Sequence, residues 1–131
     1  MRTFKLPSPV SVNSMYANRA GGRRKTAAYE AWCQHAGFML NGQQCAAIEG
    51  PVHLDCVLGA IRDTGRKIPT SADTDNHFKC IQDALQQAGV LPDDNRKWVP
   101  SICGSWADIG HTVVTLTPIN NHPKGNKNVH L

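Results

Sequence analysis

Residues 73–89 run Asp73-Thr74-Asp75-Asn76-His77-Phe78-Lys79-Cys80-Ile81-Gln82-Asp83-Ala84-Leu85-Gln86-Gln87-Ala88-Gly89. Phe78, Ile81, Leu85 and Ala88 stand at i, i+3, i+7 and i+10, an apolar stripe at helical spacing, with Gly89 as a stop and Pro92 just beyond. The stretch predicts a helix over Asp75–Ala88. Working outward, residues 97–106 and 111–117 read as two strands joined by a turn near Asp108 to Gly110. Before the helix, Val52, Leu54, Cys56, Leu58 and Ala60 share one face of a strand over Pro51–Ile61, with His53 and Asp55 on the other. Further back, Tyr29, Trp32, Cys33, Ala36 and Leu40 mark a first helix over Thr26–Leu40, ended by Asn41-Gly42. Thr3–Leu6 alternates as a short strand closed by Pro7-Ser8-Pro9, and an Asn- and Gly-rich segment to Lys25 reads as a loop. The sum is an α/β (α+β) fold, a small mixed β-sheet packed with two helices. One domain is expected over residues 1–119, with residues 120–131, rich in Asn, Gly, Pro and Lys, a flexible tail.

Composition excludes several classes. No apolar run approaches the about 18 residues that cross a bilayer, and Met1 to Val10 hold no apolar signal core, so a cytoplasmic location is expected. Five cysteines, Cys33, Cys45, Cys56, Cys80 and Cys103, are odd in number and never closer than eleven positions. That suits neither a disulfide framework nor a zinc knuckle, and they read as small buried hydrophobes.

Charge is distributed unevenly. Half of the ten acidic residues (Asp73, Asp75, Asp83, Asp93, Asp94) fall between positions 73 and 94, where Lys79 is the only one of the fourteen Lys and Arg residues. An acidic centre in a chain of net charge +4 suits a cation held against a polyanion. Asp73 and Asp75, two apart in an extended approach to a helix, would point the same way. Lys79 lies one turn on, and Asp94 follows where the chain can turn back. Three converging carboxylates repel one another unless a hard divalent cation sits among them, so the metal-free protein is expected to carry strain. Mg²⁺, or Mn²⁺, would activate water at a phosphodiester, with Lys79 stabilising the developing charge. The plainer alternative keeps the Asp pair as helix caps, and pairs Asp83 with Lys79 on the helix as a supporting residue. An EF-hand is excluded, since its Gly position holds Phe78 and its Glu position Ala84. A P-loop is excluded by Arg24, which stands before the lysine where glycine is needed.

Arg19, Arg23, Arg24 and Lys25 crowd the segment before the first helix, and Arg62, Arg66 and Lys67 the loop before Asp73; both clusters are candidate DNA-binding surfaces. The six histidines show no zinc spacing, and His77 reads as solvated or structural.

The string D-x-D-N-x-x-K-x-x-x-D-A-L, followed by Gly89-Val90 and Asp93-Asp94, resembles the signature of RusA-type endodeoxyribonucleases. The opening Leu6-Pro7-Ser8-Pro9-Val10-Ser11-Val12-Asn13 is similar to that family's L-P-x-P-x-S-x-N, and Tyr29 with Trp32 resembles its first-helix aromatic pattern. The resemblance spans about residues 3 to 118. It implies Asp73, Asp75 and Asp94 as metal ligands and Lys79 as catalytic lysine, in a bacterial or prophage enzyme of recombination and repair that resolves Holliday junctions. Paired cuts with one acidic site per chain imply a two-fold homodimer. Two alternatives stand beside it: a nuclease for flaps or other branched DNA, and a non-catalytic DNA-binding accessory protein.

Overall fold

A computed structural model of the chain describes residues 1–119; the tail over residues 120–131 lies outside the described residues. The elements in order are β1 (Arg2–Pro7), β2 (Tyr16–Arg19), β3 (Gly22–Lys25), α1 (Ala27–Asn41), β4 (Val52–Gly59), α2 (Lys79–Gln87), β5 (Ser101–Ala107) and β6 (His111–Pro118). Short 3₁₀ turns lie at Val12–Ser14 and Asp75–His77.

Four strands form a mixed sheet in the order β1-β6-β4-β5, antiparallel except for the parallel β4–β5 pair. Alternation puts Phe4 and Leu6, Leu54, Cys56 and Leu58, and Val114 and Leu116 on one face. These share one core with Tyr29, Trp32, Ala36 and Leu40 of α1 and Ile81 and Leu85 of α2, so both helices cover that face. The small mixed sheet with two helices is thus the architecture the sequence implied. β1, α1 and β4 are tied together at the Pro-Ser-Pro turn. Trp32 Nε1 donates to the Ser8 carbonyl at 2.7 Å, and Ser8 Oγ donates to the Gly59 carbonyl at 2.7 Å.

Local chemistry explains the helix ends. Thr26 caps α1, its Oγ1 accepting from Tyr29 N at 3.1 Å. α2 closes in a Schellman motif: Gly89 takes φ 84° and its N–H donates to Gln86 O, while Val90 N donates to Leu85 O. The chain is thereby turned back along the helix.

Four expectations need correction. The segment up to Lys25, read as a loop, holds the β2–β3 hairpin, whose two-residue turn ends at Gly21 with φ 91°. The second helix begins at Lys79, not Asp75, because residues 74–78 are bound to the sheet. Thr74 Oγ1 accepts from Trp106 Nε1 at 3.0 Å, and a Cβ on Gly104 would lie 2.5 Å from Phe78. The strand begins at Ser101, not Lys97, because Asn95 Oδ1 accepts from Lys97 N and holds residues 95–98 in a turn. Among the cysteines, all free, Cys56 and Cys80 are buried, Cys33 and Cys45 half-buried and Cys103 exposed. The Cys103 thiol sits 3.3 Å from Asp55 Oδ1, and that carboxylate holds its pKa above the ordinary thiol value.

Candidate active site

The acidic segment enters from the loop after β4 and is held against β5. Thr74 is helical in its backbone (φ −61°, ψ −45°), so Asp73 and Asp75 sit in a turn rather than in the extended approach expected of them. Asp73 Oδ2 accepts from Asn76 Nδ2 at 3.3 Å, and the Asp73 carbonyl is 2.6 Å from His77 Nδ1. His77 is buried, its ring 5.1 Å edge-on to Trp106, which makes it the structural residue of the two readings given for it. Asp73 and Asp75 are both exposed.

Lys79 opens α2, and the fold-back after Gly89 brings Asp94 to it. Its ammonium lies 2.9 Å from Asp94 Oδ2 and 3.1 Å from Asp83 Oδ1. The Asp94 hydrogen bond, reinforced by Asp83, holds the lysine above its ordinary pKa although partial burial opposes this. The same bond holds the Asp94 carboxyl below the usual carboxylate range. Asp93 turns inward on its own chain, accepting from Asp94 N at 2.7 Å and Asn95 Nδ2 at 3.1 Å.

Asp83 is bound on its other side. Its Oδ2 accepts from the Tyr29 hydroxyl of α1 at 3.3 Å. Tyr29 is buried, stacked on Trp32 at 6.3 Å and met edge-on by Tyr16 at 5.7 Å. Burial, with Cys33 and the Asp83 charge adding to it, pushes the phenol above its ordinary value.

The first basic cluster comes to the same place. Arg19, Arg23, Arg24 and Lys25 are all exposed on the β2–β3 hairpin. Arg23 lies over the Tyr16 ring at 4.5 Å and Lys25 over Tyr29 at 5.4 Å, so the hairpin's cations rest on the aromatic pair that reaches Asp83. A groove of about 860 Å³, lined by Tyr16, Lys25, Tyr29, Cys33, Asp83 and Gln87 among others, opens between hairpin and helices. The second cluster is held differently. Arg62 and Arg66 are exposed on a turn closed by Arg62 N to Arg66 O, while Lys67 is paired with Asp108 at 3.0 Å. Among the described residues no side-chain hydrogen bond or ion pair joins these three to Asp73, Asp75, Asp83 or Asp94.

The donors Asp73, Asp75 and Asp94 are hard carboxylate oxygens, of the type that Mg²⁺ or Mn²⁺ takes. Their donor chemistry fits such an ion. Their arrangement does not yet gather them: among the described residues no group of three or more His, Cys, Asp or Glu side chains stands ready to hold a metal. Asp94 faces Lys79 instead. The acidic residues and Lys79 are legible in the sequence, whereas Tyr16 and the Tyr29 hydroxyl carry no local signal of a place beside them. The helical spacing of Tyr29 marks it only as core, and nothing local shows where its oxygen points.

Over residues 7–117 the chain matches the family model described as endodeoxyribonuclease RusA. No curated protein matches it.

Proposed function

The chain belongs to the RusA family of Holliday junction-resolving endodeoxyribonucleases, metal-dependent hydrolases of bacteria and phages, and from that premise we propose which of its residues do the work. Asp73, Asp75 and Asp94 hold Mg²⁺, with Mn²⁺ as a substitute, and Lys79 is the catalytic lysine. The ion, when bound, lowers the pKa of water and offsets charge on the phosphate. Lys79 supplies a fixed positive charge where the leaving oxygen becomes negative, and Asp83 pairs with it from one turn along the helix. Arg19, Arg23, Arg24 and Lys25 bind the DNA backbone beside that site, with Arg62 and Arg66 a second contact and Lys67 a weaker one because Asp108 partly neutralises it. Symmetric cuts in two opposed strands require two copies of this site, hence a two-fold homodimer. Among the described residues no helix is long and apolar enough to cross a membrane.

The observation that supports this reading most is the position of Lys79, charged and shared between Asp83 and Asp94 one turn after Asp75. The test is cleavage of an end-labelled synthetic four-way junction beside a linear duplex and a flap, with Mg²⁺ and with EDTA. Paired, symmetric nicks in the junction only with Mg²⁺ are expected. Equal cleavage in EDTA would remove the metal, and preference for the flap would replace the substrate.

A further inference from the structure

Lys79 is held from two sides, and the two holds differ in what fixes them. Asp94 lies in a loop, and under the proposed function, on which this inference rests, its carboxylate is needed by a cation. An oxygen turned to a cation no longer holds an ammonium, and the two positive charges repel each other. The lysine stem is flexible and loses rotamer freedom when held, so a Lys79 released by Asp94 and held by nothing else would leave the site. Asp83 is placed differently. It stands one turn along α2, and its second oxygen is engaged by the hydroxyl of Tyr29 from the other helix.

We propose that Tyr29 and Asp83 form a positioning pair that holds Lys79 over the acidic site when Asp94 is engaged with a cation. Tyr29 suits the task because its ring cannot turn freely: it is buried between Trp32 and Tyr16, on a helix capped three residues earlier by Thr26. Its phenol, held above the ordinary value by burial, remains a donor at any neutral pH. An ordinary i,i+4 surface pair has no anchor on a second helix, and two mobile side chains in water hold each other weakly. Here one partner is fixed before the lysine arrives. Neither Tyr29 nor Asp83 touches the reacting atoms in this scheme; both act through Lys79.

The test uses Tyr29→Phe and Asp83→Asn, which remove one hydroxyl and one charge with little change of shape. On four-way junctions with Mg²⁺, kcat should fall about tenfold for Asp83→Asn, near the low end for one charge-assisted hydrogen bond, and about threefold for Tyr29→Phe, which acts only through Asp83, with KM within about twofold. A second readout needs neither DNA nor metal. In Asp94→Asn protein the Lys79 ammonium, assigned by its loss in Lys79→Ala, should still give a slowly exchanging ¹H–¹⁵N signal. Adding Asp83→Asn or Tyr29→Phe should abolish it. Persistence of that signal in both double variants, or parental kcat in both single variants, overturns the positioning pair. A parent that cuts no junction would overturn the proposed function, while the ammonium signal in the free protein would still decide this inference.

Discussion

Replacing Asp94 by Asn in the metal-free protein separates two opposite expectations. If carboxylates converge, two of them about 4 Å apart at an effective dielectric of about 20 repel by roughly 4 kcal/mol, and removing a charge raises the melting temperature. In the structure Asp94 faces an ammonium at 2.9 Å, with side chains 47% and 26% exposed. Exposure on that scale discounts the Coulomb energy, and comparable pairs stabilise by about 0.2 to 1 kcal/mol. Asn keeps an oxygen that still accepts from the ammonium while losing the full charge, so a loss of about 0.5 to 1 kcal/mol is expected. A chain of 131 residues has an unfolding entropy near 0.3 kcal/mol/K, which makes this a fall of about 2 to 4 °C. Thermal unfolding in EDTA at pH 7 and low salt measures it. The Asp94 pKa is depressed in the fold, so its contribution is present above about pH 4 and is lost as pH falls through the folded value. The Lys79 pKa is raised, so its contribution is present below about pH 10.4 and is lost as pH rises through the folded value. The gap between parent and variant should therefore be level between these limits, and should narrow in high salt. A variant that melts higher than the parent in EDTA would refute the ion pair and restore the repulsion.

Asp75→Asn, at an exposed position, should leave melting in EDTA within about 2 °C of the parent yet abolish junction cleavage, with gel-shift binding retained. Lys79→Ala should be similarly inactive while Mg²⁺ still raises its melting temperature; normal turnover would remove the lysine from the mechanism. Arg23→Ala with Arg24→Ala should make the slope of log binding constant against log salt shallower by up to about 2, and an unchanged slope would return the hairpin cations to plain solvation. Gly104→Ala places a methyl 2.5 Å from the Phe78 ring, so the variant should lose about 1 to 3 kcal/mol in urea unfolding and cleave more slowly, because the turn carrying Asp73 and Asp75 must shift.

The parts of the fold that were readable in advance are those with a buried face. Val52 to Leu58 alternates against the core, and the stripe from Ile81 to Leu85 runs into Gly89, so β4 and α2 could be read from periodicity alone. The hairpin could not, because all of Gly22–Lys25 is exposed and carries no apolar alternation; only the Gly21-Gly22 pair hinted at a turn. The start of α2 is not legible in the local sequence because Thr74 and Phe78 answer to Trp106 and Gly104, partners about thirty positions away. The same reason limits the site. Its acidic residues and lysine were legible as types at spacings, and the family pattern as their combination. Which carboxylate takes the lysine depends on where the chain goes after Gly89, and the Tyr29 hydroxyl becomes visible only once two helices are packed.

The β2–β3 hairpin carries the first basic cluster, and of its residues only Tyr16 and Ala17 are even half-buried. Its hold on the body runs through Tyr16 and the Thr26 cap, and its turn needs Gly21 and Gly22 at positive φ, so the exposed residues Asn18, Arg19 and Ala20 are free of the constraints that packing places on α1 or β4. Surface changes of this kind shift stability by only about 0.5 kcal/mol. Variation can therefore accumulate at the tip without endangering the fold or the acidic residues. If the hairpin contacts DNA as proposed, descendants of one such chain could diverge in which DNA shapes they grip while keeping the same acidic residues, and exchanging this short ribbon between relatives would test that.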